Sequence, residues 1–86
     1  MNTVETEVRK FLVSNNIRPF SVLFMRDIRL LKISFYLQDE VEEFLDISGY
    51  TKMCDNFGYQ EYPNTILIFG SYLNNFLRNV GCEEMY

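Results

Sequence analysis

The sequence predicts an α+β fold, a single small domain in which helices pack against a three- to four-stranded sheet. Helical and strand periodicities follow one another in the order α-β-β-α-(α)-β-α. Apolar residues make up 48% of the 86 residues and aromatic residues 16%, which is enough to bury one core. We expect this domain to span residues 1–81, with residues 82–86 as a frayed tail.

The first helix is predicted over residues 3–14, "TVETEVRKFLVS". Its apolar stripe consists of Val4, Val8, Phe11 and Leu12. Glu5 stands four residues before Arg9, the spacing of a favourable ion pair on a helix surface. Asn15 and Asn16 then offer a left-handed exit from the helix.

A β-hairpin is predicted for residues 20–37. Its core-facing positions are Phe20, Val22 and Phe24 in the first strand and Leu31, Ile33 and Phe35 in the second. If Arg26 and Asp27 form the turn, Val22 lies opposite Leu31 and the two apolar faces coincide. A four-residue turn preserves that match, so the pattern favours a hairpin without fixing its loop.

Three of the eight basic residues belong to this hairpin: Arg26, Arg29 and Lys32. Lys32 shares the second face with Ser34 and Tyr36, so we expect the basic residues on the outer side and tip of the hairpin. With Tyr36 stacking on a base, such a surface is one alternative for weak nucleic-acid binding. The net charge of −4 makes its electrostatic contribution small.

A second helix is predicted from Asp39 to Gly49. Asp39 is expected to be its N-cap, because Glu42 follows at the spacing of a capping box. The core-facing residues of this helix are Val41, Phe44 and Leu45. Residues 50–58 favour a further short helix, and residues 59–64 a surface loop.

Residues 65–69, "TILIF", form a short continuous apolar run. Such a run is typical of a central strand that is buried on both faces. Gly70 closes the strand, Ser71 can cap a last helix, and Gly81 ends that helix. The inward stripe of the last helix consists of Tyr72, Leu73, Phe76, Leu77 and Val80.

The residue types present argue against most catalytic mechanisms. The chain has no histidine, which excludes imidazole-based catalysis and histidine-ligated zinc. Cys54 and Cys82 form neither a redox pair of the CxxC type nor a four-ligand metal set. We therefore expect a protein that is not an enzyme and has no cofactor or metal.

No leader or apolar run of membrane-spanning length is seen, so the expected compartment is the cytoplasm.

Charge is divided along the chain. Residues 1–37 hold six basic and three acidic residues, a net charge of +3, whereas residues 38–86 hold two basic and nine acidic residues, a net charge of −7. The acidic helix around Glu42 and Glu43 is either a solvated face or a surface that docks on a basic partner. In "FGYQEYP", Tyr59 and Tyr62 lie on the predicted loop, and exposed aromatic residues are typical of binding hot spots.

Two stretches resemble glutaredoxins, which have the thioredoxin-like fold. "RPFSVLFMRD" is similar to the first strand of the monothiol type, and "YPNTILIFGSYLNNF" is similar to the proline, strand and last helix of the family. The resemblance implies that Pro63 would help to bind glutathione or another thiol ligand. The family's cysteine motif is absent after the first strand, where "RDIRLLK" stands, so thiol–disulfide chemistry is not implied.

Together these patterns favour binding over catalysis. We expect a small non-catalytic protein that binds another protein, as a phage or mobile-element inhibitor of a host protein. The candidate partner-binding residues are Tyr59, Tyr62, Glu42, Glu43, Arg26, Arg29 and Tyr36. A glutaredoxin-like glutathione binder and a weak nucleic-acid module stay open as alternatives. A homodimer is also open, because the second hairpin strand would leave an edge and Leu23, Leu30 and Tyr36 would cover an outer face.

Overall fold

The described residues form three helices and an antiparallel sheet, which confirms the predicted α+β class. A computed structural model describes residues 3–48, 57–59 and 64–82. The helices are α1 (Thr3–Ser14), α2 (Gln38–Ile47) and α3 (Gly70–Asn79). The strands are β1 (Ser21–Met25), β2 (Leu30–Ser34), β3 (Phe57–Tyr59) and β4 (Thr65–Phe69).

The sheet has the strand order β1-β2-β4-β3, and all neighbouring strands are antiparallel. Strands β1 and β2 form the predicted hairpin around a four-residue turn, residues 26–29, in which the Arg29 N–H donates to the Arg26 carbonyl oxygen (3.2 Å). Val22 therefore lies opposite Ile33, and not opposite Leu31 as a two-residue turn would place it. The two apolar faces still coincide, because the longer turn shifts the register by an even number of residues.

The edge of the sheet lies at β1 and not at β2, contrary to the expectation from the sequence. Strand β2 is bonded to β1 on one side and to β4 on the other. Its central place follows from the return of the chain after α2, which adds β4 beside β2. An exposed edge of the second hairpin strand therefore cannot be the basis of a homodimer.

One hydrophobic core fills the space between the sheet and the helices. The strands contribute residues of a single face, all at most 6% exposed: Val22, Phe24, Leu31, Ile33, Ile66 and Ile68. The helices contribute their predicted stripes: Val4, Val8 and Leu12; Val41, Phe44 and Leu45; Leu73, Phe76 and Leu77. Four phenylalanines link the elements through ring contacts, with centroid distances of 5.8 Å (Phe11–Phe76), 5.5 Å (Phe44–Phe76) and 5.7 Å (Phe35–Phe44). All three helices therefore cover the same face of the sheet.

The N-terminus of α2 differs from the predicted cap. The helix follows Leu37, so Glu40 occupies its third position and Asp39 is already inside the first turn. The carboxylate of Glu40 accepts the N–H groups of Tyr36 (3.2 Å) and Leu37 (3.1 Å) through one oxygen. Only the carboxylate half of the predicted capping box is therefore present, two residues closer to the N-terminus, because Leu37 has no side-chain acceptor; its backbone carbonyl oxygen accepts the Glu40 N–H (3.1 Å).

Two helix boundaries use left-handed backbone, as the sequence suggests. Asn16 leaves α1 with φ of 66°, and Gly81 follows α3 with φ of 83°. Gly70 also has a positive φ, 67°, which turns β4 directly into α3. Because α3 begins at Gly70 and follows Phe69, Ser71 lies within its first turn and is not the N-cap.

Some predictions fall on residues outside the described ranges. Of the helix predicted over residues 50–58, Phe57 and Gly58 belong to strand β3, where the ladder with β4 holds them extended. Of the loop predicted over residues 59–64, Tyr59 is also in β3, and residues 60–63 are not described. Cys82, expected in the tail, is 3% exposed and joins the core.

Candidate binding face

The helices leave one face of the sheet uncovered, and we call it the open face. We define it by nine residues in three rows across β1, β2 and β4: Ser21, Ser34 and Thr65; Leu23, Lys32 and Leu67; Met25, Leu30 and Phe69. The backbone of Gly58 in β3 continues the middle row beside Leu67. Leu23 is 44% exposed and Phe69 is 40% exposed, which is high for large apolar side chains in a sheet. Two of the three rows are therefore apolar except for Lys32.

Strand β4 is predicted to be buried on both faces, and on the open face this holds at one end only. Ile66 and Ile68 are buried under the helices, and Thr65 on the open-face side is 4% exposed, but Leu67 is half-buried and Phe69 is exposed. The continuous apolar run nevertheless has the composition of a strand covered on both sides. The open face thus has the chemistry of a buried surface, and no helix among the described residues covers it.

Lys32 is the one charged residue among the nine of the open face. Leu23 and Leu67 flank it across the strands. Lys32 is half-buried, and within the described ranges no carboxylate pairs with its ammonium group; the ion pair found there joins Lys10 and Glu7 on α1 (3.7 Å). A lysine in this setting lays its aliphatic stem along apolar neighbours and keeps its ammonium group in water.

The free edge of β1 is occupied at one point by a carboxylate from α1. The Oε2 atom of Glu5 accepts the backbone N–H of Phe24 at 2.8 Å. This contact takes the place of the Glu5–Arg9 pair predicted from spacing. Outward N–H groups recur at every second residue of an edge strand, so Val22 presents its N–H on the same edge. Glu5 therefore blocks part of the edge against the addition of another strand.

An exposed aromatic pair lies at the end of the hairpin opposite its turn. Phe20 and Tyr36 are 62% and 61% exposed, and their rings meet edge to face with centroids 5.3 Å apart. The Phe20 N–H donates to the Ser34 carbonyl oxygen (2.8 Å), which places the pair beside the hydroxyl row of the open face. Asn64 donates its side-chain amide to the Tyr36 carbonyl oxygen (3.2 Å) and fixes the backbone there. Tyr36, a predicted binding residue, thus adjoins the open face.

The two arginines of the hairpin turn lean towards the helix-covered side. Both guanidinium groups lie near the Phe24 ring, that of Arg26 at 5.7 Å and that of Arg29 at 5.9 Å from its centroid. Arg29 also donates to the side-chain oxygen of Asn74 in α3 (2.6 Å), while its Nη1 atom is buried with no acceptor among the described residues. Lys32 belongs to the opposite face, so the three cations do not form one strip for binding phosphates.

The remaining predicted binding residues are spread over the molecule. Glu42 and Glu43 are exposed on α2, which lies on the covered side of the sheet. Tyr59 pairs with Ile66 in the β3–β4 ladder. Tyr62 and Pro63 lie outside the described residues, and so does Cys54. The structure therefore does not gather the predicted partner-binding residues into one surface.

The open-face residues Lys32, Leu67 and Phe69 were not selected as binding residues from the sequence. The signal that could have found them was present in "TILIF", which predicts coverage on two faces. The few helices predicted from the sequence are not enough to cover both faces of the sheet, so one face of β4 could be expected to stay exposed. The sequence places Leu23 and Leu30 on an outer face, but it links that face to an unpaired edge at β2, whereas β2 pairs with a strand on each side.

The described residues hold no group of three or more histidine, cysteine or acidic side chains that could bind a metal ion. None of the described helices is both long and apolar enough to cross a membrane.

A depression of about 430 Å³ runs along the outer side of α1, lined by Thr6, Arg9, Lys10, Val13 and Ser14. These residues come from a single helix and include no acid–base pair, so we do not assign a site to it.

No protein family, curated protein or solved structure matches this chain. The resemblance to glutaredoxins therefore stays a prediction, together with glutathione binding at Pro63. A thermal-shift titration with glutathione tests it, because a ligand of the native state raises the unfolding midpoint. Nucleic-acid binding also stays a prediction, and a gel shift at several salt concentrations tests it.

Proposed function

We propose that this chain is a small non-catalytic protein that acts by binding another protein, and that the open face is its docking surface. The observation that carries the proposal is the uncovered side of β4, where an apolar run of buried-strand composition ends in the exposed Phe69. Soluble monomers rarely expose contiguous apolar patches of this kind unless a partner covers them.

Energetics favour the open face over the other surfaces of the molecule. Covering a large apolar side chain completely contributes about 1.5–3 kcal/mol, and this face offers five such residues together: Leu23, Met25, Leu30, Leu67 and Phe69. The neighbouring Phe20–Tyr36 pair adds aromatic side chains of the type that dominates binding hot spots. By contrast, the exposed Val13 on α1 is surrounded by polar residues.

A host protein is the partner we propose, with the chain acting as an inhibitor encoded by a phage or mobile element. A domain of 86 residues that covers an apolar surface of a larger protein prevents other molecules from reaching that surface. Such steric blockade requires no catalytic group, in keeping with a chain that lacks histidine.

Affinity capture with matched variants tests the docking surface. We expect the tagged wild-type chain to retain one stoichiometric protein from a lysate of its host cells. Leu23→Asp and Phe69→Asp should each reduce the retained amount at least about tenfold, because a carboxylate introduced into an apolar interface must lose its water. Val13→Asp, at a 53% exposed position on α1, serves as the control and should bind like the wild type.

Circular dichroism and thermal unfolding of each variant separate loss of binding from loss of folding. If both open-face variants fold and still retain the partner at the wild-type level, the open face is not the docking surface. If the wild-type chain retains no protein from any candidate host, the binding function itself is wrong.

A further inference from the structure

Lys32 lies in the middle row of the open face, between two leucines, and forms no ion pair with a carboxylate of the described residues. We infer that the partner presents a carboxylate within an apolar surface, and that this carboxylate lies opposite Lys32. The inference rests on the proposed function and adds the chemistry of the partner to it.

Desolvation is the physical reason. A partner that covers Leu23, Leu67 and Phe69 also removes water from the ammonium group between them. Burial of an unpaired charge is among the most costly events in binding, whereas a facing carboxylate restores the lost interactions. A wholly apolar partner is therefore disfavoured by Lys32, and a partner with one acidic residue in its apolar surface is selected.

The same residue argues against a second copy of this chain as the occupant. In a two-fold symmetric pair of open faces, residues near the axis meet their own copies. The central residue of the open face is Lys32, so two ammonium groups would approach each other in an apolar environment. Like charges at such a position are a known device against self-association.

The dimensions of the two apolar rows match one helix. The side chains of each row lie on three strands that are ~4.8 Å apart, so they span ~10 Å across the sheet, close to the ~10–12 Å diameter of an α-helix. Helices already pack on the opposite face of this sheet. The partner element that fits is an amphipathic helix whose apolar stripe includes one aspartate or glutamate.

Designed helical peptides test this chemistry without knowledge of the natural partner. The probe is an Ala/Leu/Gln peptide of about 20 residues, longer than the ~12–15 that an isolated helix needs, with one Glu in the middle of its leucine stripe. Two matched peptides carry Gln or Lys at that position. Dissociation constants are obtained from NMR shifts of the open-face residues during titration of each peptide.

On the wild-type chain, we expect the Glu peptide to bind at least about tenfold more tightly than the Lys peptide. On Lys32→Glu the order should reverse, and on Lys32→Met the preference should vanish. Lys10→Glu, which changes the same charge on the outer side of α1, should leave the preference unchanged.

Equal affinity of the three peptides, or no binding of any of them, overturns the inference. In that case, loss of capture by Leu23→Asp and Phe69→Asp still supports the proposed function, so the two failures are distinguishable. Sedimentation of the wild-type chain tests the other possible occupant of the open face, a second copy of this chain. A dimer that Phe69→Asp dissociates and Val13→Asp does not would show that a second copy covers the face, which also overturns the inference.

Discussion

The two faces of the sheet differ in composition and in exposure. On β1, β2 and β4 the covered face is entirely apolar, whereas the open face combines five apolar residues with Lys32 and three hydroxyl-bearing residues. Along β2, Leu31 and Ile33 have no exposed surface, whereas the alternating Leu30, Lys32 and Ser34 are half-buried. The covered face packs against three helices through phenylalanine contacts, and the open face has no helix of the described residues over it. The comparison teaches that in β1, β2 and β4 the covered side supplies the packing that stabilises the fold, whereas the other side keeps large apolar side chains in contact with water.

This division has a simple energetic consequence. Substitutions on the covered face change the free energy of unfolding, because they alter a close-packed interior. Substitutions on the open face should change stability less, since these residues are partly in contact with water in the free protein, and under the proposed function they should change binding. Neighbouring residues of one strand should therefore respond very differently to the same chemical change.

The largest effect is expected when charge is placed on the covered face. Ile33→Lys introduces an unpaired ammonium group at a position with no exposed surface and should cost about 4 kcal/mol or more, a large part of the total stability of a small domain. The neighbouring Lys32→Ile should change stability by less than about 1 kcal/mol, because position 32 is half-exposed. Circular dichroism and urea denaturation at low protein concentration measure both; equal effects would contradict the difference between the faces.

Much of this division could be predicted from the sequence. The stripes of α1 and α3 and the faces of β1 and β2 follow from apolar periodicity, which records the direction of each side chain. Phe20 is an exception: alternation places it on the core face with Val22 and Phe24, but it precedes β1 and is 62% exposed. The turn length did not follow, because "RDIR" lacks the glycine that fixes a short turn. The start of α2 did not follow either, since Asp39 and Glu40 both offer a carboxylate to the helix terminus.

A smaller effect is expected from truncation of neighbouring leucines in β2. Leu31→Ala should destabilise the fold by about 2–5 kcal/mol, because it leaves a cavity beneath the helices. Leu30→Ala, the same substitution one residue earlier, should cost about 1 kcal/mol, since its side chain is only partly buried. Urea midpoints give the two values. A cost at Leu30 as large as that at Leu31 would mean that the free chain covers its open face.

The open face was harder to predict than the fold. The run "TILIF" correctly indicates that both faces of β4 are apolar, but composition does not say whether the cover comes from the same chain. The placement of Lys32 between Leu23 and Leu67 depends on strand order, which joins residues far apart in sequence. Local periodicity contains no information on such pairing.

A contact between the two regions, at the edge of β1, gives the next prediction. Glu5→Ala removes the acceptor of the Phe24 N–H and should destabilise the fold by about 1–3 kcal/mol. Glu7→Ala in the same helix removes only a surface pair with Lys10 and should cost about 0.5 kcal/mol or less. Glu5→Gln keeps an acceptor oxygen and should fall between them. Hydrogen exchange at the Phe24 amide provides the local measurement; protection that is unchanged in Glu5→Ala would exclude the contact.

The smallest effect is expected for the coupling energy between two aromatic rings, which can be compared for an exposed pair and a buried pair of similar geometry. Phe20 and Tyr36 meet at 5.3 Å with an interplanar angle of 88°, and Phe44 and Phe76 meet at 5.5 Å with an angle of 68°. In double-mutant cycles to alanine, each pair should show a coupling of about 0.5–1.5 kcal/mol, because ring–ring attraction depends on geometry.

The single substitutions should separate the two pairs. Phe44→Ala should cost about 3–5 kcal/mol, because it also empties space in the core. Tyr36→Ala should cost about 1 kcal/mol or less, since 61% of the side chain is already exposed. If Tyr36→Ala proved as costly as Phe44→Ala, the exposed pair would be part of the folding core. If it leaves folding intact and weakens capture of the partner, the aromatic pair belongs with the open face, and the binding surface extends along the hairpin beyond its apolar rows.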